Sequence, residues 1–366
     1  MDSSYLQDSP PLLKLPLYKD DSSKDPDSSI PWPIEMFPFI ELIFTFFLFL
    51  TLSSSTTAYR WRCVPEDRQI LQDINKELNN TMSNAWLPDE DCCQHYIGVY
   101  CDSDTSRVNA IAFNGVPISR IPPSLARVPY LRQIFIHKIP GLTGEIPEFL
   151  SNLTGLTSLE ISWTNVTGPI PRWLHRLPNL AFLVLSYNRL TGTIPPYLFD
   201  LPNLNWLRLD RNQLTGSIPE AFGRFKGNSI FLSHNMLTGP VPKSLAHIDW
   251  SQIELQWNRL IGDPSPLFNN RSKTLWQLDL SRNLFDFDLT AVQIPVDKLY
   301  RFDLSHNMIR GSIPKEMVNA TSLGIFNVSY NRLCGGIPYA GQLLQFDNTT
   351  FFHNRCLCGP PLSVAC

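Results

Sequence analysis

Histidine and serine occur together at several places in the sequence, where they could form a nucleophile and its general base. His137, His234 and His306 are candidates for the base. A Ser-His nucleophile needs both side chains within hydrogen-bond reach and a third group that orients the base. The serines, however, recur at one place of successive segments: Ser186, Ser233, Ser281, Ser305 and Ser329. Because this recurrence belongs to a repeated pattern, we expect no catalytic nucleophile and predict that the chain is not an enzyme.

Three carboxylates form a second set of side chains that could do chemistry. Glu254, Asp279 and Asp303 recur at one place of three consecutive segments. On neighbouring strands they would lie about 5 Å apart, which is the separation of the carboxyl pair in a retaining glycosidase. An open sheet, however, offers no pocket that would raise the pKa of one carboxyl. We therefore expect these acids not to act as a hydrolytic pair.

All these residues lie in a repeated sequence pattern that returns about every 24 residues. Its clearest copy is the sixteen-residue segment that begins at Leu180, L-A-F-L-V-L-S-Y-N-R-L-T-G-T-I-P. Its spacing is that of a leucine-rich repeat, in which each period makes one turn and the stacked turns bury a column of leucines. Ten turns start near Val108, Leu131, Leu156, Leu180, Leu204, Gly227, Trp250, Leu275, Leu299 and Leu323. The predicted fold is an α/β solenoid, a right-handed superhelix of about ten 24-residue repeats with a parallel concave sheet.

The asparagine of each repeat, such as Asn188, has a separate task. Buried on every turn, it can bond backbone groups of the bend that follows the strand. The glycine after it permits a tight backbone, and the proline sets a fixed φ. Ile139 and Thr164 stand where asparagine is expected, and Gly227 stands where leucine is expected.

The chain divides by composition into a leader at 1–35, a signal peptide at 36–58, an N-terminal cap at 59–107, repeats at 108–333 and a C-terminal cap at 334–366. The apolar run from Leu42 to Leu52 precedes small residues and is typical of a signal peptide cleaved near Ala58. A retained anchor stays open, because the run extends back towards Met36. The leader is expected to be disordered, or to precede a true start at Met36. No apolar segment follows the last repeat, so no membrane span is expected there.

Eight cysteines lie outside the regular repeats, in two groups of four. Cys92 and Cys93 are adjacent, and each should pair elsewhere because a bridge between neighbours is strained. The expected disulfides are Cys63–Cys92, Cys93–Cys101, Cys334–Cys356 and Cys358–Cys366. Each group would then staple one end of the solenoid. His353 lies close to Cys356, but the spacing is not that of a zinc finger, so we expect no metal and no cofactor.

The N-terminal cap should contain an amphipathic helix after Pro65, since four apolar residues follow at helical spacing. Seven N-x-S/T sequons indicate a secreted glycoprotein. They are Asn79, Asn152, Asn165, Asn270, Asn319, Asn327 and Asn348. Residues 59–366 carry 27 basic and 25 acidic side chains, a balance that indicates no nucleic-acid partner and leaves recognition to local contacts. We expect a monomer.

The residues around the two inward leucines of each strand face outward on the concave side. In the central turns they are aromatic and charged, as on a protein-binding surface with aromatic anchors. The predicted protein-binding residues are Phe182, Val184, Tyr187, Trp206, Arg208, Asp210, Arg211, Phe231, His234, Glu254 and Trp257. An alternative stays open: the aromatic side chains could stack along the sheet as ladders that stabilise adjacent turns.

Several longer motifs accompany the repeats. They are the L-T-G-x-I-P phrases, the cap D-C-C-Q-H-Y-I-G-V-Y-C-D, the central L-x-L-D-R-N-Q-L-T-G-S-I-P, and the endings N-V-S-Y-N-R-L-C-G-G-I-P and F-F-H-N-R-C-L-C-G-P-P-L. With these motifs, residues 60–366 resemble the plant polygalacturonase-inhibiting proteins. The resemblance implies a glycoprotein of the plant cell wall, the apoplast, that acts in defence. Such a protein binds fungal or insect endopolygalacturonases through its concave face and slows pectin breakdown; pectin is an open second ligand.

The resemblance also implies contact positions in the central repeats. Carried over, they are Glu254, Asp210, Arg208, Trp206, Phe182, Tyr187, Phe231 and His234. Val184 departs from the family pattern, because many members carry Asp there, and a glycan on Asn327 would project onto the concave end. Another hypothesis stays open: a soluble partner of a receptor or peptide in developmental signalling. An ice-surface binder would need a flat, regular array of Asn and Thr, and the irregular aromatic and charged residues of the concave side argue against it.

Overall fold

Residues 63–268 and 273–366 are described by a computed structural model of the chain, and they belong to one unit, Arg60–Cys366. The leader, the signal segment and the sequon at Asn270 lie outside the described residues. Within the described ranges, no helix combines the length and the apolar character that crossing a membrane requires.

The concave side is a sheet that gains one parallel strand with each turn, as predicted. Among the described residues its strands are Val99–Cys101, Val108–Asn114, Gln133–Gly144, Ser158–Pro169, Phe182–Val184, Trp206–Arg208, Ser229–Phe231, Gln252–Glu254, Gln277–Asp279, Arg301–Asp303 and Ile325–Asn327. The first strand pairs antiparallel with the second, and the ten others are parallel. Leucines such as Leu183 and Leu207 lie opposite each other and are buried. The repeat pattern therefore sets both the register and the core.

The flank of the solenoid carries shorter strands that follow five of the repeated asparagines, Asn188 to Asn283. They are Arg189–Thr191, Thr215–Gly216, Met236–Pro240, Arg259–Gly262 and Leu284–Phe285. Glycine is required at the bend: Gly216 has φ of +75°, and an added Cβ would lie 2.8 Å from a methyl group of Thr193.

The convex side is made of short 3₁₀ helices. Their bounds are Pro123–Arg127, Glu148–Asn152, Arg172–Arg176, Pro196–Asp200, Glu220–Arg224, Lys243–His247, Ser265–Leu267, Leu289–Ala291, Lys315–Asn319, Gly341–Gln345 and Asn348–Thr350. In most of these turns the proline of the Ile-Pro phrase directly precedes the helix, as Pro195 and Pro219 do. Proline fixes φ and has no N–H to leave unpaired at a helix start.

The repeated asparagines join consecutive turns. In Asn212 the Nδ2 group donates to the carbonyls of Leu185 and Leu209, at 2.8 and 3.1 Å, and Oδ1 accepts from the backbone N–H of Leu190 at 3.0 Å. Each asparagine thus bonds its own turn and the preceding one, where only the following bend had been expected. In its turn Thr164 occupies the asparagine position, and its hydroxyl donates to Oδ1 of Asn188.

The N-terminal cap contains the predicted helix, Pro65–Glu77. Asp67 on this helix is fully buried and accepts bonds from Arg107, at 2.8 Å, and from the backbone N–H of Val108, also at 2.8 Å. This contact ties the helix to the first parallel strand. Trp86 is buried beneath the helix and stacks on Tyr96.

The four disulfides join the pairs expected from the sequence, two in each cap. In the C-terminal cap, strands Cys334–Gly336 and Cys356–Cys358 pair in parallel. The sulfurs of Cys63, Cys92 and Cys93 lie within 4.8 Å of one another, the one cluster in the described residues with metal-like spacing. Each of them is consumed by a disulfide, so the cluster presents no thiolate to an ion.

Candidate functional site on the concave sheet

Two columns of side chains run along the concave sheet at right angles to its strands. The floor column holds the residues between the two inward leucines: Phe135, Glu160, Val184, Arg208, Phe231, Glu254, Asp279, Asp303 and Asn327. The lip column holds the residues just before the asparagine place: Lys138, Trp163, Tyr187, Arg211, His234, Trp257, Arg282, His306 and Tyr330. Parallel pairing brings successive members together, as for Val184 opposite Arg208.

Every member of the lip column has a left-handed backbone, with φ between 52° and 57°. Such a conformation costs about 1–2 kcal/mol for a non-glycine residue. Hydrogen bonds between turns hold it, since the N–H of Arg211 donates to the carbonyl of Ser233 and that of Trp257 to the carbonyl of Ser281. The bend therefore aims each lip side chain along the same edge of the sheet.

Lip side chains stack on one another from turn to turn. The rings of Trp163 and Tyr187 lie 3.6 Å apart, and the guanidinium of Arg211 lies 5.0 Å from the Tyr187 ring. Further along, His234 stacks on Trp257 at 5.5 Å. Both hypotheses for the aromatic residues thus have support: the rings form a ladder, yet Trp163 is 43% and Trp257 41% exposed.

Phe231 belongs to the floor beneath two predicted contact residues. The guanidinium of Arg208 lies 4.7 Å from its ring and the Trp206 ring lies 5.1 Å away, so Phe231 is only 3% exposed. Asp210 is also 3% exposed, because Oδ1 accepts a bond from Nε of Arg208 at 3.1 Å. The expectation that Phe231 and Asp210 face a partner directly is therefore wrong; they position Arg208. Phe182 and Trp206, opposite each other, are partly exposed.

Glu254 is the acid whose environment differs most from the expectation. Two side-chain amides, from Gln252 at 2.8 Å and Gln277 at 2.9 Å, donate to its Oε1. Burial is the largest influence and raises the pKa of Glu254 to about 7, against the opposing charge of Arg208. The prediction that an open sheet would leave such a carboxyl unshifted is wrong, because the neighbouring side chains cover it.

The other two acids in that row are both buried, although exposure had been expected, whereas Glu254 is partly exposed. Asp279 accepts from Arg301 at 2.7 Å and from the hydroxyl of Ser281 at 2.7 Å. Burial, and then the charge of Asp279, raise the pKa of Asp303 to about 6. Arg301 was not among the predicted site residues, yet it pairs with the acids of this part of the floor. The sequence could have indicated this role, because Arg301 is a basic residue two positions before Asp303 and one repeat after Asp279.

His137, Ser162 and Glu160 come together at the other end of the sheet, but not as a catalytic triad. Ser162 donates to Oε1 of Glu160 at 2.6 Å, and Nδ1 of His137 lies 2.8 Å from the same hydroxyl. Burial opposes the charge of Glu160, but the bonds from His137 and Ser162 outweigh it and lower the pKa of this carboxyl. In a triad, serine and acid contact opposite ring nitrogens. Here both contact Nδ1.

The described sequons differ in accessibility. Asn79, Asn152, Asn319 and Asn348 are exposed, and Asn165 is partly buried. Asn327 lies in the floor column, partly buried, and its Oδ1 accepts from the N–H and hydroxyl of Ser329 at 3.0 and 2.8 Å.

Comparison with known proteins gives the same fold and a group of relatives. The leucine-rich-repeat family model matches residues 179–201 and 203–225. A polygalacturonase inhibitor of Pyrus communis is 50% identical over 330 residues, which are 88% of this chain and 99% of the relative. A polygalacturonase inhibitor of Vitis vinifera is 49% identical over 305 residues, 82% of this chain and 90% of the relative.

Among solved structures, a plant ice-binding protein is similar, with 43% identity and a TM-score of 0.79. The match covers 83% of this chain and 99% of that protein. The likeness therefore extends over the whole of the compared solenoid.

Proposed function

Since this chain belongs to the polygalacturonase-inhibitor family of leucine-rich-repeat proteins, we propose that it binds and inhibits pathogen endopolygalacturonases through its concave sheet. The observation that carries the proposal is 50% identity over 99% of a relative that is named for this inhibition. Fungal and insect enzymes are the proposed targets. The chain acts as a ligand of an enzyme and does not itself catalyse a reaction.

The proposed contact surface combines partly exposed residues of the central floor and lip columns with Phe182 and Trp206, which directly precede the first inward leucine of their strands. Its members are Phe182, Val184, Tyr187, Trp206, Arg208, Arg211, His234, Glu254 and Trp257. Aromatic and arginine anchors that are already held in place lose little conformational entropy when a partner binds. Arg208 supports this role because Phe231 and Asp210 fix its guanidinium.

The proposed mechanism is steric. The curved sheet would hold the enzyme near its substrate cleft, so that the polymer cannot enter. Val184 presents an apolar side chain opposite Arg208, and we propose that this position helps to select which enzyme is bound.

The proposed setting is the plant cell wall, with the protein secreted as a monomeric glycoprotein in defence. Disulfides in both caps support an oxidising compartment. Exposed sequons such as Asn152 and Asn319 are the proposed glycan sites. A glycan on Asn327 would cover the C-terminal end of the concave face and leave the central turns accessible.

The first test is inhibition of a panel of fungal and insect endopolygalacturonases, measured as reducing-sugar release from polygalacturonic acid. We expect the wild-type protein to inhibit at least one enzyme and Trp206→Ala with Arg208→Ala to abolish that inhibition. The matched control is Asp200→Ala with Arg224→Ala, an exposed ion pair on the convex side. Circular dichroism should show all three proteins folded.

Two outcomes would count against this proposal. If the wild-type protein inhibits no enzyme of the panel, the inhibitory function is wrong and a receptor or peptide partner becomes the better hypothesis. If the concave double variant inhibits like the wild type, the central surface is wrong.

Ice binding, the activity for which the structurally similar plant protein is named, has less support in this chain. Threonines do recur on the flank, but pairing sets Thr167 opposite Arg189 and Thr238 opposite Arg259. Thr215 lies opposite Met236. Among the described residues, only the bridge between Thr193 and Thr215 sets two of these threonines opposite each other. Because the other pairs mix a hydroxyl with a charged or long side chain, the described flank lacks the flat, regular array that an ice surface would match.

A further inference from the structure

Arg282 and Trp257 form a preassembled pair in the lip column. The guanidinium carbon of Arg282 lies 4.3 Å from the centroid of the Trp257 ring. Both side chains are exposed, and both backbones are fixed in the left-handed region by the repeat. A cation over a tryptophan face is the most favourable arrangement of this kind.

The charge of Arg282 is not consumed by a neighbouring acid. Among the described residues no carboxylate forms an ion pair with it. The acid of its own strand, Asp279, is buried and bound by Arg301 and Ser281. On the next turn, burial and then the charge of Arg282 lower the pKa of His306.

The lip column as a whole has one sign of charge. Lys138, Arg211 and Arg282 are basic, and none of the nine members is acidic. The acids Glu160, Glu254, Asp279 and Asp303 lie in the floor column, where Asp279 and Asp303 are buried, and Asp210 is buried against Arg208. A partner that approaches the lip therefore meets cations supported on aromatic rings, whereas the carboxylates lie below them.

The shape of the guanidinium decides which group the arginine can receive. Its N–H donors form a planar fork, and the carbon of that fork lies 4.3 Å from the centroid of the Trp257 ring. A carboxylate matches this fork with two parallel hydrogen bonds. Because the fork is already oriented, less side-chain entropy is lost on binding than for a free arginine.

We propose that Arg282, held on Trp257, is a specificity-determining contact that receives a carboxylate side chain on the surface of the endopolygalacturonase. The inference rests on the proposed inhibitory function and adds the chemistry of the partner surface. Target enzymes would carry an acidic patch facing the lip, and enzymes with a basic patch there would escape inhibition.

The test measures inhibition constants for an endopolygalacturonase that the wild-type protein inhibits. We expect Arg282→Ala to weaken inhibition about 10- to 100-fold and Arg282→Glu to weaken it further by like-charge repulsion. Arg282→Lys should recover only part of the loss, because lysine keeps the charge without the fork. The matched control is Arg259→Glu, an exposed arginine on the flank, which should inhibit like the wild type.

A double-mutant cycle separates the pair from two independent contacts. If Trp257 acts by holding Arg282, Trp257→Ala with Arg282→Ala should cost less than the sum of the two single changes. The loss in Arg282→Ala should also shrink as salt is raised, since the wild-type contact is screened. Thermal unfolding midpoints check that every variant is folded.

The outcomes distinguish the two proposals. A wild-type protein that inhibits no enzyme overturns the proposed function, and the inference that rests on it. A wild-type protein that inhibits, while Arg282→Glu and Arg259→Glu have equal inhibition constants, overturns the assignment of Arg282 alone. Additive effects of the Trp257 and Arg282 changes would show that the ring does not position the arginine.

Discussion

At the scale of single residues, the concave sheet divides outward-facing positions into those that meet solvent and those that other side chains cover. Phe231 and Arg208 occupy equivalent places on adjacent turns, yet Phe231 is covered and Arg208 lies over it. Glu254 shows the same effect on a titrating group, because two glutamine amides and its neighbours enclose its carboxyl. A residue's role here depends on the sizes of the side chains on both neighbouring turns.

The raised pKa of Glu254 predicts how stability depends on pH. The folded state keeps a proton on this group up to about pH 7, whereas the unfolded chain releases it near pH 4.5. Stability should therefore fall as pH rises between these values, and Asp303 contributes in the same direction. Glu254→Gln should remove the contribution of this group, so that the variant is more stable than the wild type by about 3 kcal/mol at pH 8 and equal to it at pH 4.

Urea unfolding of both proteins at several pH values checks this expectation. Glu220→Gln, an exposed acid on the convex side, is the control and should leave the pH curve unchanged. Parallel pH curves for the wild type and Glu254→Gln would contradict the burial of this carboxyl.

At the scale of the repeat element, stability depends on backbone groups that the asparagines bond. In the bend of each turn, some backbone N–H and carbonyl groups have no partner on a neighbouring strand of the sheet. Asn235 bonds the carbonyls of Leu209 and Leu232 and accepts from the N–H of Leu214, each at 3.0–3.2 Å. The same bends produce the left-handed lip residues, so the element that stabilises the solenoid also aims the candidate contacts.

Asn235→Ala should destabilise the protein by about 3 kcal/mol or more, because several buried backbone groups lose their partner. The matched control is Asn203→Ala, an exposed asparagine whose amide donates to the carbonyl of Pro178. We expect the control to cost less than about 1 kcal/mol. Equal denaturation midpoints for the two variants would mean that the asparagine column does not hold the turns together.

At the scale of the whole molecule, each turn contacts chiefly the turns beside it, so the two ends need separate protection. The N-terminal cap places the helix Pro65–Glu77 and Trp86 over the first turn, and the C-terminal cap adds the paired strands of residues 334–336 and 356–358. The disulfides close loops of different length, 29 residues for Cys63–Cys92 and 8 residues for Cys358–Cys366.

The lengths of the closed loops predict that removing different disulfides lowers the free energy of unfolding by different amounts. A longer loop restricts the unfolded chain more, so Cys63→Ser with Cys92→Ser should cost about 1 kcal/mol more than Cys358→Ser with Cys366→Ser. Both losses can be measured by urea unfolding of the double variants. A larger loss at the C-terminal bridge would show that native contacts of that cap, and not chain entropy, dominate.

Much of the fold could be predicted from the sequence because its signals are local and repeated. The turn starting at Leu180 contains the inward leucines, the asparagine, the glycine and the proline, and each has one physical task. The same repetition supplied the register of the sheet, and the adjacent Cys92 and Cys93 indicated that each pairs elsewhere. The columns of outward side chains also followed, including most of the candidate contact residues.

Only the tertiary structure decided which of those outward side chains are exposed, which are covered by neighbours, and how their charges are paired. Stacking of turns about 5 Å apart brings side chains together that are more than twenty residues apart in the chain. Phe231 is thereby covered by Arg208, the pKa of Glu254 is raised, Asp279 is paired with Arg301, and Arg282 remains exposed on Trp257. The repeat determines the position of each side chain on the sheet. The exposure and the pKa of that side chain depend on residues of the neighbouring turns, because burial and nearby charges act through space.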